Sequence, residues 1–164
     1  MKLAAGEIRA GLAIHFDYPA LIARSDLFLS NIFDHSGKSR PLLCVARDGD
    51  MSWWAPVTTS ACSKKHQRLF LLPEWRSGGA DQWTMRPCFL LDGASLMAGP
   101  SIAFCMESVE LTTPQTRGML SLEGLRAVAG EIRNQTHRRT GGLPPIPTID
   151  FAASGALLPQ GATA

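Results

Sequence analysis

Arg40 stands between a short polar stretch, His35-Ser36-Gly37-Lys38-Ser39, and a proline at position 41. Further along, an apolar run closes on Thr58-Thr59-Ser60, and a basic stretch with Lys64, Lys65 and His66 follows. These residue types suit work on a phosphate ester. Arginine keeps its charge, and its planar fork matches two phosphate oxygens. Short hydroxyl side chains donate to the same oxygens, and histidine moves a proton near neutral pH. Cleavage of RNA by its own 2′-hydroxyl needs a base for that proton, an acid for the leaving 5′-oxygen and a cation for the charge growing on phosphorus. The candidate catalytic residues are therefore Arg40, Thr58, His35 and His66. Lys38, Ser39, Thr59, Ser60, Lys64 and Lys65 are candidate contacts to the nucleic-acid backbone. Trp54 is a candidate stacking face for a base. A plain alternative stands beside each. An arginine before proline is commonly a surface residue, a Thr-Thr-Ser strand end commonly bonds its own backbone, and histidines in polar loops are commonly just solvated.

The bulk composition allows such a site without demanding it. The chain has 164 residues, 45% of them hydrophobic and 18% charged, which is enough to fold around a real core. Its net charge of +2 names no partner. The charge is uneven, however. Lys38, Arg40, Arg47, Lys64, Lys65, Arg68 and Arg76 face only Asp48, Asp50 and Glu74 over the same stretch. That local excess suits a phosphate backbone, and a solvated face of scattered charge is the alternative. Cys44, Cys62, Cys88 and Cys105 form no Cys-x-x-Cys pair and have no histidine at zinc-ligand spacing. No metal, disulfide or cofactor is expected. No run reaches the about 18 apolar residues of a membrane span, and no signal-peptide block precedes Glu7 and Arg9. A cytoplasmic protein with reduced thiols is expected.

The elements that must position these residues are mostly strands. Residues 1–24 place Leu3, Ala4, Ile8 and Leu12 on one helical stripe, which predicts an N-terminal helical extension. Strands are predicted at about 26–33, 41–47, 51–57, 67–72, 83–91 and 102–106. Asp48-Gly49 marks a hairpin between the second and third. Trp53 and Trp54 fall on opposite faces of the third, so one should be core and the other free for solvent, ligand or partner. Ser121 caps a predicted amphipathic helix over 121–134, with Leu122, Leu125, Ala129 and Ile132 on one stripe. Residues 137–164 are rich in Gly, Pro and small side chains and read as a tail that orders only on binding, with Phe151, Leu157 and Leu158 as anchors. The class is mainly β with α (α+β), a small barrel or strongly bent sheet of five to six strands over about 25–136.

The order of these pieces resembles the MazF/PemK family of toxin endoribonucleases. The resemblance rests on Ser25-Asp26-Leu27-Phe28-Leu29, on Gly37-Lys38-Ser39-Arg40-Pro41-Leu42-Leu43-Cys44-Val45, on Ala55-Pro56-Val57-Thr58-Thr59-Ser60, and on a loop from Ala94 to Phe104 leading to a closing helix. It covers about residues 25–135. Ser25 replaces the family's usual glycine, and the polar stretch before Gly37 is shorter than the family's. The resemblance implies an SH3-like barrel with a C-terminal helix, usually a homodimer. It implies cleavage of single-stranded RNA without a metal, with Arg40 stabilising the scissile phosphate and Thr58 in the same site. The implied partner is a neutralising antitoxin, a protein, or an RNA as in the related ToxN-type enzymes. The alternative from another class is a non-catalytic barrel that binds nucleic acid or a protein partner.

Overall fold

A computed structural model describes residues 2–29, 40–61, 68–90, 96–109 and 111–138, the side chains of Arg40 and of 135–138 excepted. In chain order the elements are β1 (Leu12–Phe16), α1 (Tyr18–Ile22), β2 (Phe28–Leu29), β3 (Arg40–Asp48), β4 (Met51–Thr58), β5 (Phe70–Leu71), β6 (Arg76–Ser77), α2 (Asp81–Thr84), β7 (Cys88–Leu90), β8 (Met97–Pro100), α3 (Ser101–Met106), β9 (Gly118–Leu120) and α4 (Leu122–Arg138). The architecture is mixed α and β, a mostly antiparallel open sheet with few helices. Among the described residues the strand order is β2-β8-β4-β3-β1-β9-β6, and β7 joins β4 to β5 beside this path.

The β3–β4 hairpin is the spine. Its two-residue turn opens with Gly49 at φ 58°, a conformation that costs glycine little. Cys44↔Trp54 and Ala46↔Trp53 are successive pairs in its ladder, so one extra residue, Val45, bulges from β3. On its other edge β4 pairs with β8 from Met51 to Trp54 and with β7 at Val57 and Thr58. Both faces are covered as well. Leu43, Trp53, Ala55 and Val57 pack with Leu125, Val128, Ala129 and Ile132 of α4. Leu42, Cys44 and Trp54 pack on the opposite side with Tyr18 and Leu21 of α1 and Phe104 of α3.

Several expectations are corrected. The helical extension over 1–24 is a short 3-10 turn, one internal strand and the five-residue α1. β1 lies between β3 and β9. Gly11, at φ 98°, breaks the helical stripe, and a Cβ there would sit 2.9 Å from the Leu120 carbonyl oxygen. The last predicted strand, 102–106, is α3. Ala103, Phe104 and Cys105 are buried while Ile102 and Met106, four apart, are exposed, which is helical and not alternating. The strand of that region is β8, which ends at Pro100. Trp83, assigned to a strand, lies buried in α2, and β7 begins only at Cys88. The expected strand over 67–72 is reduced to Phe70–Leu71. Other expectations hold: β3, β4 and their turn stand as read, and the Ser121 hydroxyl accepts from the Gly124 N–H at 3.2 Å to cap α4. Residues 139–164, with the tail's Phe151, Leu157 and Leu158, lie outside the described residues.

Trp54 is wholly buried, edge-on to Phe16 at 5.0 Å and stacked on Phe104 at 5.2 Å. Its indole N–H donates to the Ser52 hydroxyl at 2.8 Å. Trp54→Ala should therefore lower unfolding free energy by about 3–5 kcal/mol in urea titrations, a loss that a solvent-facing tryptophan would not produce.

Candidate active site

Arg40 is the first residue of β3 and Thr58 the last of β4. The ladder between these strands runs to Leu42↔Pro56. Arg40 and Thr58 each lie two positions beyond that pair, so they occupy matching places at the open end of the hairpin. Arg40 pairs on its other side with Phe16 of β1, and Thr58 with Phe89 of β7. Both positions thus lie at the same end of the hairpin, beyond the last pair of its ladder.

Thr58 is half-buried, while Thr59 and Ser60 are exposed. The Thr58 hydroxyl oxygen accepts from the Ser60 N–H at 3.3 Å. A hydroxyl can donate as well as accept. Arg68 closes the base of the following segment. Its backbone N–H donates to the Ala61 carbonyl at 3.1 Å and its guanidinium to the Ser60 carbonyl at 3.2 Å. His35, Lys38, Ser39, Lys64, Lys65 and His66 lie outside the described residues, as does the Arg40 side chain. Trp54 is corrected as a stacking face: both tryptophans of β4 are core, because both faces of the strand are covered.

Two residues missed in the sequence stand beside Thr58. Phe89 is its partner on β7, and Phe70 pairs with Phe89 from β5. The two rings stack at 5.0 Å with planes 29° apart, and Phe70 is 38% exposed. The available signal was alternation. Leu71, Cys88 and Leu90 are buried against α4's side of the sheet, so Phe70 and Phe89 fall on the other face.

An ion-pair network joins two outer segments of the sheet. Arg24 bridges Asp26 at 2.8 Å and Glu107 at 3.0 Å, tying the segment that leads into β2 to the end of α3. The Arg24 hydrogen bonds hold the Asp26 carboxyl below the usual carboxylate range. A concavity of about 540 Å³ lies beside β1. His15 lines it with Asp81, Gln82 and Leu111, and its Nε2 lies 2.9 Å from the Gln82 side-chain oxygen. His15 neighbours Phe16 on β1 and so belongs to the face opposite that of Phe16.

Among the described residues no group of three or more His, Cys, Asp or Glu side chains gathers as metal ligands do. None of the described helices is long and apolar enough to cross a membrane. In comparisons with known proteins, no family model, no curated protein and no solved structure matches the chain.

The described cysteines behave as core residues. Burial pushes the Cys44 thiol up to about 12 and raises Cys88 and Cys105. Such thiols stay protonated and unreactive. Iodoacetamide at pH 8 should leave Cys44 unmodified in the native protein and label it fully in urea, as read by peptide mass spectrometry.

Proposed function

We propose that the chain is a toxin endoribonuclease that cleaves single-stranded RNA through the 2′-hydroxyl next to the scissile phosphate. The observation that carries this reading is the matched placement of Arg40 and Thr58, from two separate sequence motifs, at one end of the hairpin. The resemblance to MazF/PemK toxins asks for those residues in one site, and the basic stretch that follows Thr58 suits an RNA backbone.

On this reading the 2′-oxygen bonds to phosphorus as the bond from phosphorus to the 5′-oxygen breaks. The 2′-hydroxyl proton goes to a base, for which His35 and His66 are the candidates. The departing 5′-oxygen takes a proton from the Arg40 guanidinium, the candidate acid, and leaves as a hydroxyl. The Arg40 guanidinium stabilises the negative charge on the phosphorus oxygens, and the Thr58 hydroxyl donates to one of them. The products are a 2′,3′-cyclic phosphate and a 5′-hydroxyl. The same resemblance supplies the rest of the proposal: a variant of the SH3-like barrel, a homodimer, and an antitoxin that occupies the RNA groove. A cytoplasmic location, expected from the sequence, completes it.

The test is cleavage of mixed-sequence single-stranded RNA in excess EDTA, wild type beside Arg40→Ala. Wild type should generate cyclic-phosphate ends, and the variant should be slower by about 100-fold or more with unchanged thermal unfolding. A folded wild-type protein that binds RNA without cutting it would replace the enzyme with the binding module.

A further inference from the structure

Phe70 and Phe89 form a stacked aromatic pair on a part of the sheet that neither α1 nor α3 is seen to cover. The cores assign the faces. Leu71, Cys88 and Leu90 enter the α4 side. Phe70 and Phe89, at alternating positions, face the other way, and among the described residues the helical partners of that face, Tyr18, Leu21 and Phe104, gather around Trp54 instead. Phe70 keeps 38% of its surface exposed even though its ring is stacked. Stacking gives the pair a fixed ring orientation, and an exposed ring of fixed orientation is what a planar ligand needs.

The position of the pair says which ligand. Thr58 pairs with Phe89, and Phe89 with Phe70, so the three side chains share one row and one face. Neighbouring strands lie about 4.8 Å apart, which puts Phe70 about 10 Å from Thr58 along the row. That is the reach of a base one or two nucleotides from a phosphate held at Thr58. Between Thr58 and Leu72 there is no carboxylate, while Lys64, Lys65 and Arg68 are basic. A polyanion with flat, uncharged rings fits this arrangement.

We propose that the Phe70–Phe89 pair is the platform on which single-stranded RNA stacks a base beside the scissile phosphate. The proposal rests on the ribonuclease reading of Arg40 and Thr58, and it adds a base-binding subsite that the phosphate chemistry alone does not require. Every nucleobase has a π-face, so the platform holds register along the strand without choosing sequence.

The full chain carrying Arg40→Ala, which leaves the RNA uncut, is titrated with a short single-stranded RNA containing 2-aminopurine and with a matched abasic oligomer. Binding should quench 2-aminopurine. Phe70→Leu keeps the apolar contact with Phe89 but removes the outer π-face. It should weaken binding about 10-fold and abolish the quench, and it should leave the abasic oligomer unaffected. Phe70→Trp should restore both affinity and quench. A Phe70→Leu protein with native thermal unfolding, unchanged affinity and undiminished quench overturns the platform alone. An RNA that neither the parent nor the wild-type chain binds overturns the platform and the ribonuclease reading together.

Discussion

Two adjacent tryptophans enter two different cores. Trp53 packs towards α4, and Trp54 packs between Phe16 and Phe104 on the other side. A strand does this only if both its faces are covered, and β4 also has neighbours on both edges. Its backbone polar groups are consumed by ladders and its side chains by packing, so it has little freedom to shift. The other strands and the helices are placed by reference to it. Thr58 is where this confinement ends, since the strand runs out there into exposed residues. A rigid strand end of this kind can hold a donor in place.

Legibility in the sequence followed the range of the signals. Asp48-Gly49 and the Ser121 cap of α4 are local patterns, and both appear in the structure where they were read, whereas Leu122, assigned to the apolar stripe, is 49% exposed and Val128 takes a buried place beside Leu125, Ala129 and Ile132. β1 was hidden because Leu12, Ala13, Ile14 and Phe16 are all buried. A short strand covered on both faces shows no alternation, and its Leu12 also completed a helical stripe with Leu3 and Ile8. β2, β5 and β6, two residues each, carry no periodic signal at all and exist through their neighbours. That positions 40 and 58 lie at the same end of one hairpin was legible in outline, because it needs only a hairpin and its turn. The aromatic pair was not, because Phe70 and Phe89 become neighbours only when β5 and β7 meet.

The same topology explains why Trp54 failed as a ligand face while Phe70 offers one. Aromatic side chains are usually placed by burial. Trp54 sits mid-strand with a helix on its side of the sheet. Phe70 sits on a two-residue strand beyond β7, where, among the described residues, only the α4 side of the sheet joins a core.

The bulge at Val45 carries a further consequence. It lies between the turn and the open end of the hairpin, so the two halves of the ladder are offset by one residue. Removing that residue would leave the Asp48↔Met51 end intact but put the far half of β3 out of phase. Leu42 and Leu43 would trade cores, and Arg40 would shift by one place relative to Thr58. The hairpin therefore behaves as a counted length of chain: its residues can be exchanged for others of like size, but their number between Arg40 and Thr58 cannot change.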